Sequence, residues 1–594
     1  MDADGMETPS RNGSERRFVG IPVAPGIAHS AALVQWEDDE EISLRKIEDH
    51  ELPGEIARFE SALIATRAEL LEIQQRIALA IGSNDASIFD AHLLVVEDRT
   101  LIDEVLRRLD RDRCNIEYIF HQVAEKYCRT LAEIDDPYLR ERVVDIEDVA
   151  RRVIRNLLGK EPRNAAAHDH PHIIVAHNIT PSDTAQMNRE LALGFATEIG
   201  SKTSHTAIMA RSLEIPAIVG IHGICQLLSS GDDILLDGYT GTLILNPSPE
   251  TLAEYERIEF QKNQVTKRLG LIRETASTTR DGRHVVLSAN VDLPDEIGDV
   301  VMSGAEGIGL YRTEFLFLNR IAPPDEDEQF EHYRRAAERT QPHGVIIRTL
   351  DIGGDKSTQS LHLPEEQNPF LGCRAIRFCL QNPEIFRTQL RAILRAATFG
   401  NVRIMYPMIS GLEELRQANA ILEESKAELA ARGVPFHPYI EVGIMIEVPS
   451  AVLSADHLAR EVRFFSIGTN DLIQYSIAVD RGNENIAHLY NPTHPAILRM
   501  IKMVVDAART NGIWTGVCGE MAGDILLTPL LVGLGVDELS VTSSVVPRIK
   551  KAVQSLDASR CEALVRNVLD MDDSAAIASL SLGMALECYA ELAD

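Results

Sequence analysis

Positive charge is in short supply in this chain. Against 90 Asp and Glu there are only 59 Lys and Arg, leaving a formal charge of −31. That imbalance argues against a nucleic-acid binder and suits cationic partners or plain solubility. Cysteine pairs are missing too. The eight cysteines (114, 128, 225, 373, 379, 518, 561 and 588) form no CxxC pair, which disfavours a zinc site or disulfide framework and fits reduced thiols in a cytosol. No apolar run approaches the ~18 residues of a membrane span, so none is expected. Residues 1–17 are polar, without the apolar centre of a signal peptide, and read as a disordered tail on a cytoplasmic protein. Residues 42–158 are almost free of glycine, and no Gly-rich nucleotide loop occurs there.

What is present is a long globular sequence. At 594 residues, 45% hydrophobic and 25% charged, it should divide into about three or four domains. Phe18 to Val34 reads as short strands that must pair with something later. Ile56, Phe59, Leu63, Leu70, Ile73 and Ile77 then recur on one helical face, and further helical patterns follow to Leu157. Strand signals resume at His172–Ala176, continue through Ala217–Val219 and close in a hairpin around a turn at Asp237–Gly241. The predicted organisation is an α/β domain (18–41 and 161–246) interrupted by an all-helical domain (42–160), a linker helix (247–276) and a region (277–594) where eight strand-like runs alternate with helices. The alternation fits a (β/α)₈ barrel. A doubly wound open sheet fits it equally well.

Two places could carry chemistry. His205 falls at a predicted helix start among Ser and Thr hydroxyls, where backbone N–H groups favour an anion; a histidine merely flanking an N-cap is the plainer alternative. The second place is the set of strand ends in the region 277–594, the catalytic face of a barrel. Glu447 and Asp471 end adjacent predicted strands and could share a hard cation such as Mg²⁺, unless Asp471 is an N-cap and Glu447 an arginine partner. Arg312, Arg348 and Arg481 on the same rim suit a small doubly anionic substrate. Cys518 is either a core thiol or a proton donor to a substrate carbon.

Several motifs in one order resemble a known family. Thr203-Ser204-His205-Thr206-Ala207-Ile208-Met209-Ala210-Arg211, preceded by Thr180-Pro181-Ser182-Asp183-Thr184-Ala185, looks like the phosphohistidine domain of phosphoenolpyruvate-utilising enzymes. Gly309-Leu310-Tyr311-Arg312-Thr313-Glu314, the run Arg348 to Lys356, Gly468-Thr469-Asn470-Asp471 and Val517-Cys518-Gly519-Glu520 resemble their substrate-binding barrel. The order, the inserted helices and the length are similar to the enzyme I family of the bacterial sugar phosphotransferase system. Small departures are Ser201, where a glycine is common, and Cys373, where an aromatic is common.

The resemblance implies a swivelling phosphohistidine domain with an inserted helical domain, followed by a (β/α)₈ barrel. It implies that His205 is transiently phosphorylated, with Thr184 and Arg211 beside it. It implies that Arg312, Arg348, Arg481 and Asn470 hold phosphoenolpyruvate, that Glu447 and Asp471 bind Mg²⁺, and that Cys518 protonates the enolate of pyruvate. Lys356 and Arg374 would be secondary contacts. Its implied partners are an HPr-like histidine phosphocarrier, docking near Ser87–Asp98, and a second copy of the chain through the barrel; nucleic acid and membrane insertion are not expected. The related ATP-dependent dikinases and synthases carry a nucleotide-binding domain before the phosphohistidine domain, whereas here only helices intervene. A non-catalytic scaffold would be marked by loss of His205, Arg312, Glu447, Asp471 or Cys518, and all five are present. A plain Mg²⁺-dependent pyruvate lyase would leave His205 without a role.

Overall fold

The computed structural model describes residues 14–35, 42–81, 88–132, 137–160, 170–179, 191–200, 210, 215–317, 320, 322–353, 361, 366–481, 483 and 486–592. They belong to two compact units, residues 1–261 and 262–594.

The first unit is built on an eight-stranded mixed sheet. Its strands are β1 (Arg16–Val19), β2 (Ile21–Ala24), β3 (Ile27–Gln35), β4 (His172–Ala176), β5 (Ala192–Thr197), β6 (Ala217–Val219), β7 (Asp233–Asp237) and β8 (Thr242–Leu245), in the order β1-β8-β7-β3-β4-β5-β6-β2. The first three strands thus fill both edges and the middle, so the helical segment is an insertion in the chain of a sheet completed only after it. Gly20 joins the edge strands β1 and β2; a Cβ there would lie 2.6–2.7 Å from Ile221, Ile218 and the Val219 carbonyl. The hairpin turn between β7 and β8 is held by Asp237, which accepts from the amide of Tyr239 (2.9 Å) and the hydroxyl of Thr240 (2.6 Å). Arg16 and Arg17, expected in a disordered tail, instead belong to β1 and pair with Leu245 and Ile244. Glu15 is also ordered: its Oε2 accepts from the Ser248 amide (2.9 Å) and the Thr251 hydroxyl (2.6 Å), at the start of the helix Pro249–Leu271.

The inserted helices are Leu52–Ile81, Ile88–Val96, Arg99–Asp112, Ile116–Ala132 and Pro137–Leu157. The apolar period of the sequence becomes their shared core: Phe59, Leu70, Phe89, Val105, Leu109, Ile116, Val123 and Val153. Asp98 begins the third of them by accepting from the amides of Thr100 and Leu101, which satisfies donors the helix itself leaves open.

The second unit is a closed, all-parallel barrel of β9 (Val286–Val291), β10 (Gly307–Tyr311), β11 (Gly344–Arg348), β12 (Asn401–Tyr406), β13 (Glu441–Ile446), β14 (Phe464–Ile467), β15 (Trp514–Val517) and β16 (Glu538–Thr542). Eight strands alternating with helices are what the sequence led one to expect for this region. Pairing of β16 with β9, from Glu538 opposite Val286 to Thr542 opposite Asn290, closes the ring and rules out the open sheet. The barrel is filled by Leu310, Ile346, Met405, Met445, Phe464 and Cys518. A larger apolar layer lies between strands and helices. One helical segment, Ser574–Leu592, is long and apolar enough by composition to cross a membrane, against expectation. Here its Ile577, Ser581, Ala585 and Tyr589 are buried, and the Ser581 and Tyr589 hydroxyls donate to the carbonyls of Leu526 and Ile525.

Candidate active site

Strand ends on one face of the barrel gather the polar residues that the sequence singled out there. Arg348, the last residue of β11, is buried and ion-paired to Glu314 and to Asp351, the latter at 3.1 Å. Burial works against its charge, but Glu314, Asp351 and Glu447 outweigh that and hold the guanidinium above its ordinary range. Arg374 forks onto Asp351 (2.9 and 3.1 Å) and, with its outer nitrogens, onto Asp471 (3.0 and 3.3 Å). It too is held protonated by these carboxylates against the cost of burial. Tyr475 adds a contact to Arg374 at 3.4 Å while donating to the Phe370 carbonyl.

Glu447 and Asp471 follow the adjacent strands β13 and β14. Asp471 lies in the first turn of the helix Thr469–Ile477, whose N-cap is Gly468 without a side-chain cap. Its carboxylate therefore serves Arg374 rather than the helix end. Glu447 is almost wholly buried. One oxygen accepts from the Met408 amide at 2.6 Å; the other, Oε2, is buried with no hydrogen-bond partner among the described residues. Burial, then Asp471 and Asp351, push the carboxyl up to about 8, with Arg374 and Arg348 pulling the other way. A buried carboxylate oxygen without a donor is costly unless a cation meets it. Two carboxylates on neighbouring strands form a hard oxygen pair, and Mg²⁺ takes few protein oxygens and completes its octahedron with water or substrate. Among the described residues no three His, Cys, Asp or Glu side chains form a ligand cluster, so the pair fits Mg²⁺ better than a fully protein-caged ion.

The outer rim is more open. Arg312 is bonded to Asp292 at 2.8 Å, and Arg481 to Glu520 at 3.1 Å; both pairs are at least one-third exposed. Asn470 donates to the same Glu520 oxygen at 2.9 Å and accepts from the Glu520 amide at 2.9 Å. Among the described residues, six carboxylates (Asp292, Glu314, Asp351, Glu447, Asp471, Glu520) face four guanidiniums (Arg312, Arg348, Arg374, Arg481).

Cys518 follows β15 and is buried against the barrel's apolar filling, its Sγ 3.7 Å from the Ile467 carbonyl. Burial pushes the thiol up to about 11, so it keeps its proton at neutral pH. Asn290 of β9 donates to the Cys518 carbonyl (3.2 Å) and accepts from Ser540 (2.7 Å). Backbone strain collects around the site: Ala375, Met408 and Ala478 have φ of 55°, 56° and 55°, and the first two adjoin Arg374 and supply the Glu447 donor.

The structure thus brings Arg312, Arg348, Arg374, Glu447, Asn470, Asp471, Arg481 and Cys518 to one barrel face. Thr184, His205, Arg211 and Lys356 lie outside the described residues. The sequence reading had missed Asp351, Glu520 and the Met408 amide as parts of the site. Asp351 could have been found from its place three residues beyond Arg348 and Glu520 from its place at the end of the Val517–Glu520 motif, but the Met408 amide carries no local signal.

Three family profiles match the chain: PEP-utilising enzyme, N-terminal (residues 19–142), mobile domain (168–241) and PEP-binding domain (266–558). The chain is 44% identical to a phosphoenolpyruvate-protein phosphotransferase of Staphylococcus carnosus (strain TM300), over 95% of this chain and 98% of the relative. The chain belongs to the phosphoenolpyruvate-protein phosphotransferase family. Another relative of that description, from Haemophilus influenzae, is 44% identical over 94% of this chain and 98% of its own length. A solution structure of an Enzyme I protein (nEIt) is 36% identical, covering 41% of this chain and 99% of its own, with a TM-score of 0.36. The PEP-binding profile spans all eight barrel strands, and the mobile-domain profile includes His205.

Proposed function

We propose that this protein moves the phosphoryl group of phosphoenolpyruvate onto His205 and then onto a histidine of an HPr-like phosphocarrier, releasing pyruvate, as the first step of sugar uptake by a phosphotransferase system. The observation that carries this reading is the buried, donorless oxygen of Glu447 beside Asp471, set below the arginine rim. It is a cation seat next to anion holders, which phosphoryl transfer requires.

In this reading Glu447 and Asp471 would hold Mg²⁺, which would supply positive charge to offset that of the doubly anionic substrate. Arg348, aligned by Glu314 and Asp351, points its guanidinium at the phosphoryl group. Arg312, Arg481 and Asn470 orient the substrate from the rim, and Arg374 keeps Asp471 and Asp351 in place. As the phosphorus–oxygen bond breaks, His205 takes the phosphoryl group, with Thr184, Arg211 and Lys356 in support. The enolate left behind gains a proton at carbon from the Cys518 thiol, giving pyruvate and a thiolate. A thiol that titrates near 11 is protonated before the step and regains its proton readily afterwards.

The carrier would dock on the helical insertion, where Ile64 and Leu94 are exposed apolar side chains and Glu97 and Asp98 add negative charge. A second copy of the chain would associate through the barrel. The test of the activity is labelling with ³²P-phosphoenolpyruvate and Mg²⁺. Acid-labile, alkali-stable label should appear on the wild type and not on His205→Ala. An unlabelled wild type, or a fully labelled variant, would sink the proposal.

A further inference from the structure

The arginines at the barrel mouth are all occupied by carboxylates of the protein, but in two different ways. The partners of Arg348 are buried: Glu314 and Asp351 are at most 5% exposed. They are part of the barrel and cannot leave without stranding charge. Glu520 is the opposite case, with a side chain 75% exposed. A single oxygen of it, Oε1, receives both the Asn470 amide (2.9 Å) and the Arg481 guanidinium (3.1 Å). Two donors, one in the first turn of a helix and one in the loop beyond it, therefore converge on one anionic oxygen that a protein carboxylate supplies for the moment.

The backbone keeps this convergence in register. Gly519 presses on the start of the helix Thr469–Ile477, where a Cβ would meet Thr469 Oγ1 at 2.0 Å and its amide nitrogen at 2.8 Å. The Glu520 amide then donates to Asn470 Oδ1 at 2.9 Å. The Asn470 side chain is thus tied to the Glu520 main chain, while the 75% exposed Glu520 carboxylate has room to swing into solvent. Tyr490 lies close to both Glu520 and Arg481, and its phenol is pushed up to about 12 by burial and by Glu520.

We infer that Glu520 is an exchangeable latch: its carboxylate occupies the position of an anionic oxygen of the substrate on Asn470 and Arg481, and substrate binds by displacing it. The latch keeps the two donors pointed inward in the empty enzyme and sets the concentration at which substrate takes over. It is a positioning residue that acts through Asn470 and Arg481, and it rests on the phosphoenolpyruvate reading above.

The test is steady-state kinetics of the full chain with phosphoenolpyruvate, Mg²⁺ and a histidine phosphocarrier, comparing wild type, Glu520→Gln and Glu520→Asp. Glu520→Gln removes the competing charge, and KM for phosphoenolpyruvate should fall by about threefold to fivefold, the range open to release of an exposed pair. Glu520→Asp keeps the charge but falls a methylene short of Arg481, and its KM should fall as well. Release of general negative charge would lower KM only in the glutamine variant, and that pattern overturns the latch. A KM that stays or rises in both variants also overturns it. A wild type that consumes no phosphoenolpyruvate sinks the activity and the latch together, whereas normal turnover with an unmoved KM removes the latch alone.

Discussion

Replacing Glu447 by glutamine tests the cation seat most directly. The carboxyl is raised from an ordinary 4.5 to about 8, first by burial and then by Asp471 and Asp351. An acid whose folded value is raised keeps its proton while the unfolded chain has already lost it. Stability of the cation-free barrel should therefore fall as pH rises from about 4.5 to about 8, and level off above that. At about 1.4 kcal/mol per pH unit the upper bound on that loss is roughly 5 kcal/mol, and relaxation around a buried charge brings it to about 2. A divalent cation needs the ionised form, so its binding releases a proton and its affinity should weaken by up to about tenfold per pH unit below 8. Scanning calorimetry of the barrel transition at pH 6, 7 and 8.5, with and without MgCl₂, measures both effects. Wild type should gain more from Mg²⁺ at pH 8.5 than at pH 6. Glu447→Gln keeps the acceptor for the Met408 amide but not the charge; it should lose the Mg²⁺ shift and melt a few degrees above cation-free wild type at pH 8.5. Equal Mg²⁺ shifts in the two proteins, or a wild-type shift indifferent to pH, would refute the reasoning.

Three further substitutions probe other parts of the site. Cys518→Ala should slow pyruvate release by about 10²–10⁴-fold, the range for loss of a general acid, while phosphoenolpyruvate affinity measured by titration stays close to wild type; unchanged turnover would remove its role. Arg348→Met removes the buried cation that pairs with Glu314 and leaves Asp351 to Arg374; it should cost about 3–5 kcal/mol in urea unfolding, whereas a cost under about 1 kcal/mol would mean that Arg348 is not what holds Glu314. Gly519→Ala drives a methyl group against Thr469 and should destabilise the barrel by about 1–3 kcal/mol and raise KM by shifting Asn470; a variant indistinguishable from wild type would show that the contact between the two loops is slack. Outside the barrel, Glu15→Ala should speed deuterium exchange at the Ser248 amide, and unaltered exchange would mean that Glu15 does not cap that helix.

The elements were legible because their signal is local. Ile56, Phe59, Leu63, Leu70 and Ile73 repeat along one helical face wherever the helix is placed. Apolar runs such as Phe464–Ile467 and Gly307–Tyr311 mark strands buried on both sides. Arg348, Glu447 and Asp471 could be picked out for a similar reason: Arg348 ends such a run, Glu447 directly follows one, and Asp471 lies four residues beyond one. Arg374 could not, since its partners Asp351 and Asp471 lie 23 and 97 residues away in sequence. It entered only through the family resemblance.

By itself, then, the sequence determined the strands and helices, their order, the insertion of the helices between β3 and β4, and the residue types at the strand ends. These follow from side-chain periodicity and from what backbone turns permit. The tertiary structure alone decided that the eight strands close, because closure rests on pairing β9 with β16 some 250 residues later. It alone decided that Arg16 and Arg17 are strand and not tail. It also left one oxygen of Glu447 without a donor among the described residues and set Glu520 as acceptor for both Asn470 and Arg481. Those facts depend on distance, burial and competition among many charges in one small volume, and no window of sequence contains them.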